Sequence, residues 1–137
     1  MTRARVPWVV VCLTGFLAGA GCGDDDPGGS EAIARGVGAE CDAKLACEEE
    51  GQACLTEFSG GYCGVADCAA DADCPEGSAC ATDPDFGGVN YCFLICTDKP
   101  ECNVHRSPEN ESNCTSSVDF IEEQAGGIKV CRPPMGS

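Results

Sequence analysis

Cysteine offers the most chemistry in this chain: fourteen of 137 residues, against a single histidine, His105. Thiols at that density serve redox catalysis, metal binding or crosslinking, and their spacing separates the three. No Cys-x2-Cys pair occurs, so zinc fingers and ribbons lack their usual ligand pattern. A Cys–His catalytic pair needs an unpaired thiol beside an imidazole. His105 sits in Asn103-Val104-His105-Arg106, which reads as an exposed loop. Asp71 and Asp73, and separately Asp83 and Asp85, stand two apart, but without the closing glutamate and placed glycine of a calcium loop. They read as turn aspartates capping their own backbone. The expectation is no catalytic residue, no metal site and no cofactor, with the cysteines serving as crosslinks.

The composition requires such crosslinks. From Glu40 to Ser137, 15 of 98 residues are Leu, Ile, Val or Phe. That is below the roughly 20% at which a highly charged chain stays disordered. So little apolar surface does not offset a backbone ordering cost of ~1–2 kcal/mol per residue. A disulfide adds ~3 kcal/mol for a loop of about fifteen residues in the chain-entropy description. The formal net charge is -15, and all 23 acidic residues follow Cys22 with six of the eight basic ones, so a chain starting at Cys22 carries -17. That balance excludes nucleic acid as a partner, since phosphate demands Lys and Arg. It also argues against electrostatic docking on anionic lipid. It reads as solubility for a thinly buried surface.

The N-terminus reads as an address. Arg3 and Arg5 precede an apolar run from Val6 to Ala18, thirteen residues, too short for a membrane span of about 20. This is the pattern of a signal peptide over residues 1–21, and export means an oxidising compartment. Ala18-Gly19-Ala20 fits cleavage after Ala20. Gly19-Ala20-Gly21-Cys22 resembles a lipobox, with cleavage before Cys22 and a lipid on its thiol, although Gly19 stands where leucine is usual. Loss of Cys12 with the leader leaves 13 cysteines, and lipidation of Cys22 leaves 12, all pairable. Lipidation is therefore the favoured reading. Residues 22–39 then form the anchor and a flexible tether, holding the first module on the order of 20–25 Å from the lipid. Ser30 to Arg35 fits one helical turn with Ser30 as its cap.

The twelve remaining cysteines fall into three fours: Cys41, Cys47, Cys54 and Cys63; Cys68, Cys74, Cys80 and Cys92; Cys96, Cys102, Cys114 and Cys131. Five residues separate the first two in every set, and each set ends on a glycine pair and a β-prone run into its fourth cysteine. Gly60-Gly61, Gly87-Gly88 and Gly126-Gly127 supply the positive φ that hairpin turns need. The third cysteine should open one strand and the fourth close its return. The units are assigned to residues 40–64, 65–93 and 94–137. Four cysteines allow three pairings. First to third and second to fourth, as in Cys68–Cys80 and Cys74–Cys92, is preferred because it ties the leading loop to both strands. Phe93-Leu94-Ile95 reads as an inter-unit contact, since exposure would invite aggregation. Phe58 and Phe86 at the hairpin tips, with Phe120 at the corresponding place, read as covers for the disulfides rather than a binding row. Asn110-Glu111-Ser112 and Asn113-Cys114-Thr115 match the glycosylation sequon, which matters only in a eukaryote.

The run Cys68-Ala-Ala-Asp-Ala-Asp-Cys74-Pro-Glu-Gly-Ser-Ala-Cys80 resembles the cysteine-rich segment at the N-terminus of Dickkopf-type proteins. It is also similar to the middle of whey-acidic-protein, or four-disulfide-core, domains, where an acidic residue precedes the cysteine of a C-x5-C-x5-C run. With the lipobox-like stretch at Cys22, the whole chain resembles the uncharacterised cysteine-rich lipoproteins of Gram-negative bacteria with large secretomes. The close likeness covers the middle unit. The third unit departs through its eleven-residue insert, Asn103 to Asn113, and the adjacent-cysteine pairs of whey-acidic domains are absent. The resemblance implies a disulfide scaffold without the inhibitor's activity.

The expected fold is small and disulfide-rich: three tandem four-cysteine modules of short β-hairpins and loops, with little helix. The expected function is non-enzymatic: a lipid-anchored protein of the outer membrane or cell surface, whose modules bind or adhere to a partner that the residues do not name. The alternative is a soluble secreted inhibitor-like protein acting on a protease. Oligomeric state is left open.

Overall fold

The computed structural model describes residues 31–137; the segment 1–30, with the expected signal peptide and Cys22, lies outside the described residues. Each cysteine unit is built on one antiparallel hairpin. In the first, β1 (Ala53–Cys54) pairs β2 (Cys63–Gly64) with Cys54 opposite Cys63. In the second, β3 (Ser78–Thr82) pairs β4 (Asn90–Cys96) with Cys80 opposite Cys92. The third brings β5 (Asn113–Thr115) against β7 (Lys129–Arg132) with Cys114 opposite Cys131. Its longer loop contributes β6 (Asp119–Phe120), which pairs with β3. All six glycines of the three pairs hold positive φ, between 40° and 81°, the region a Cβ disfavours.

The opposed cysteines of a hairpin do not bond each other. Each reaches back to the leading loop of its unit, the stretch between the first and second cysteines. The disulfides are Cys41–Cys54 and Cys47–Cys63, Cys68–Cys80 and Cys74–Cys92, Cys96–Cys114 and Cys102–Cys131. The pairing is first to third and second to fourth in all three units. Among the described residues, helix is confined to α1 (Glu31–Ala34) and short 3-10 turns.

The units share one body. β4 runs on past Cys92 through Phe93-Leu94-Ile95 to Cys96, and Ile95 and Cys96 pair with Val130 and Lys129 of β7. The order β5-β7-β4-β3-β6 merges the second and third units into a single five-stranded sheet. Phe93 and Leu94 are buried in it, the contact expected of them. The first unit joins the second where the Tyr91 hydroxyl donates to Glu57 Oε1 at 2.9 Å. The C-terminal tail closes the circuit: Ser59 N donates to Pro134 O and Gly136 N to Glu57 O, each at 2.9 Å. One hydrophobic cluster draws on all three units.

Two expectations are corrected. Residues 31–39, read as the end of the tether, are folded. Ala32 and Val37 are buried in the common cluster, Gly38 N donates to Cys63 O, and Cys63 N donates to Ala39 O, both at 2.9 Å. Gly36, at φ 74°, ends α1 in the left-handed conformation that glycine favours. Burying Ala32 and Val37 and pairing the backbone with Cys63 hold this segment down, and two small apolar side chains are too faint a signal to show it in sequence. The phenylalanines are the second correction. Phe58 sits at the centre of an aromatic cluster, its ring centroid 4.4 Å from Phe86, 5.1 Å from Tyr91, 5.4 Å from Tyr62 and 6.1 Å from Phe93. Such tilted pairs add roughly 0.5–1.5 kcal/mol each beyond area burial. Phe58 and Phe86 cover each other across two units, in a cluster that also takes in Cys96, Cys102 and Cys131 with Phe120 packed against it, while the disulfide cysteines Cys68, Cys80 and Cys92 cluster separately with Val65 and Cys74.

Candidate functional site

The residues with metal-like spacing are engaged within the chain. In each unit the sulfurs of the first, second and fourth cysteines lie within 4.8 Å of one another. These are neighbouring disulfides, which hold no thiolate, the form that ligates metal. Asp83 is fully buried at the end of β3 and accepts from Arg132 Nη2 at 3.0 Å and from its own turn at Asp85 N at 2.9 Å. Arg132, from β7, also pairs with Asp85. The Asp83 hydrogen bond, partly opposed by burial and aided by Asp85, raises the Arg132 pKa above its ordinary value. Asp71 caps Cys80 N at 2.8 Å and accepts from Gln124 Nε2 at 2.6 Å.

The three leading loops show what the copies do differently. Asp73, just before the second cysteine of its unit, accepts from Ala69 N at 2.8 Å and Ala70 N at 3.1 Å. Glu101 stands at the same place in the third unit and accepts from Thr97 N at 2.8 Å. The first unit has Ala46 there, and its loop is shaped from the other end. Asp42 accepts from Lys44 N and Leu45 N, each at 2.7 Å, and Asp42 N donates to Leu45 O at 2.9 Å. Those two backbone donors hold the Asp42 carboxyl below its usual range.

The loops also differ in what covers them. The second is capped by the third hairpin, where Asp71 N donates to Glu122 Oε2 at 2.7 Å. The third is tied by the Lys99–Glu111 ion pair. Asp42 to Ala46 are all exposed and make no hydrogen bond beyond their own loop. Leu45 is 57% exposed on this disulfide-stapled turn. A cleft of about 400 Å³ lies on one side, walled by Gly36, Ala39, Glu48, Glu49, Gln52 and His105. A second, of about 490 Å³, opens on the other side towards Thr56, Ser59 and Asn110. Both include Leu45 and Glu40. Burial pushes the Glu40 carboxyl up, but the Ser107 hydroxyl, Asn110 and Arg106 outweigh it, and its pKa lies below the usual value. His105 is exposed, as expected.

Arg106 is the residue that sequence reasoning missed. It is 9% exposed, and its guanidinium donates to four carbonyls: Asn110 at 2.7 Å, Gly38 and Gly61 at 3.0 Å, and Ser59 at 2.6 Å. Burial is the largest influence on it and lowers its pKa, with Glu40 and Tyr62 opposing. The insert of the third unit thereby holds the first unit and its leading segment. The amide of Asn110, from the first sequon, is packed alongside: it accepts from the Ser59 hydroxyl at 2.8 Å, and a Cβ at Gly60 would sit 2.5 Å from its nitrogen. Nothing in the sequence around Arg106 marks it for burial.

Six disulfides mark the chain as exported, since such bonds persist in oxidising compartments. No helix among the described residues is long and apolar enough to cross a membrane. No protein-family model, curated protein or solved structure matches the chain.

Proposed function

We propose that this protein is a non-enzymatic lipoprotein of the bacterial outer membrane or cell surface, anchored through a lipid on Cys22 and presenting a disulfide-stapled body that binds a partner. The observation that carries the proposal is the pairing. Six disulfides use all twelve cysteines from Cys41 to Cys131. Once the leader takes Cys12 away, Cys22 has no cysteine of its own chain left to bond. A lone thiol in an exported protein is open to oxidation and intermolecular coupling, and acylation removes that reactivity. The acidic, glycine-containing residues 23–30 suit a short tether between lipid and body. The binding half of the reading is supported by the exposed, stapled loop of the first unit.

Mass spectrometry of the mature N-terminus tests the anchor. Diacylglyceryl-modified Cys22 is the expected species. A free Gly21 start would overturn the anchor and leave a secreted, inhibitor-like protein as the better description.

A further inference from the structure

We propose that the cleft between the first leading loop and the segment following α1 is a docking site for a partner protein that presents a basic side chain next to an apolar one. The proposal rests on the binding half of the function above and is independent of the lipid.

Comparison among the three units carries it. Leading loops two and three are covered by other parts of the chain, through Glu122 and Gln124 in one case and Glu111 in the other. Loop one is built to the same stapled plan and is bare. Disulfides at Cys41 and Cys47 fix both of its ends, and Asp42 fixes its turn. Leu45 is thereby held out in water with little conformational freedom left to lose on binding. Rigid apolar anchors of this kind lower the ordering cost of association.

The cleft beside it determines the partner's chemistry. Its walls combine apolar surface from Ala39, Ala46 and Leu45 with the exposed carboxylates of Glu48 and Glu49, and with one arginine, Arg35, which these two and Glu40 outnumber. Gln52 Nε2 donates to Arg35 O at 2.9 Å across the wall, and Gln52 Oε1 is buried without a donor. Val104, 58% exposed, continues the apolar surface beyond His105 into an adjoining groove. A cation on a long apolar stem beside an aliphatic residue matches this set: the stem lies on Leu45, and the charge meets Glu48 and Glu49. An acidic partner is disfavoured both by the rim and by the -15 charge of the whole chain.

The test uses the fully oxidised, ¹⁵N-labelled mature protein titrated with three N-acetylated peptide amides, Leu-Lys-Leu, Leu-Glu-Leu and Ser-Lys-Ser. Leu-Lys-Leu is expected to bind with an affinity on the order of millimolar, as suits so small a ligand. Saturable shifts should be centred on residues 34–40, 45–52 and 105. Leu45→Ser should weaken binding roughly tenfold, and Glu48→Gln with Glu49→Gln roughly two- to fivefold, the scale of exposed charge pairs. Ile121→Ser, an exposed apolar residue on the third hairpin, should leave it unchanged. Equal binding of Leu-Glu-Leu, shifts centred away from the cleft, no saturable shift, or an unaffected L45S variant would each overturn the proposal. Lipidation of Cys22 is scored separately by mass, so failure here leaves the anchor standing.

Discussion

Removing the guanidinium of Arg106 would leave the carbonyls of Gly38 and Gly61 buried without donors, and that of Ser59 half-buried without one. Arg106→Met is therefore expected to cost roughly 3–5 kcal/mol, read by urea unfolding with the disulfides intact. A loss under about 1 kcal/mol would show that the guanidinium does not join the first and third units. The tyrosines give a second test at this scale, since the chain has only two. Tyr62 is fully buried with Leu94 N donating to its hydroxyl at 3.1 Å, and burial raises its pKa. Burial, then the hydrogen bond to Glu57, pushes Tyr91 up to about 12 from 10.0. A raised folded value means that the stabilising effect of Tyr91 is complete below pH 10 and is lost as the pH climbs from 10 towards 12. Ultraviolet titration of the native protein should show neither tyrosine half-ionised at pH 10, with ionisation arriving only with alkaline unfolding. A native tyrosine with a midpoint at 10 would contradict the aromatic core described here.

At the scale of elements, glycines of equal φ meet different surroundings. Gly61 and Gly87 both hold φ 69° in their glycine pairs. A Cβ at Gly87 meets nothing within 4 Å, whereas at Gly61 it would lie 2.1 Å from the Cys41 carbonyl oxygen. Gly87→Ala should cost about 1–2 kcal/mol, the left-handed penalty alone. Gly61→Ala should cost more by at least ~2 kcal/mol, since the backbone of the leading loop must move. Equal thermal-unfolding midpoints for the two variants would contradict the packing of loop one against its hairpin. These hairpins were legible in the sequence because cysteine spacing and paired glycines are local requirements, readable within some thirty residues. The crossed pairing was legible for the same reason, as the arrangement that lets two opposed strand cysteines both reach the leading loop. What stayed hidden depends on distant residues. Phe58 and Phe86 lie in different units, and only the meeting of those units shows that they pack on each other. The shared task of Asp73 and Glu101 was obscured by reading Asp71 and Asp73 as a pair, when only the position before the second cysteine repeats. Leu45, on which the proposed docking site rests, carries no local mark distinguishing it from an ordinary loop residue.

At the scale of the whole molecule, the three units form a closed circuit: the first contacts the second, the second shares a sheet with the third, and the third returns to the first. The disulfides stay within units, and the aromatic cluster, Arg106 and the C-terminal tail act between them. Neither system is sufficient alone. The core is too thin to fold the reduced chain, so full reduction should abolish the β-sheet signal in far-ultraviolet circular dichroism; an unchanged spectrum would show that the crosslinks are dispensable. Folding of residues 31–39 onto the first unit also places Gly36 and Ala39 in the wall of the cleft beside the bare loop. The most direct single measurement is the intact mass of the mature envelope protein, alkylated before and after reduction. The result expected is no alkylation before reduction, twelve alkyl groups after it, and an acyl-modified Cys22 at the N-terminus. A thirteenth alkyl group on a chain beginning at Gly21, or free thiols in the native protein, would contradict it.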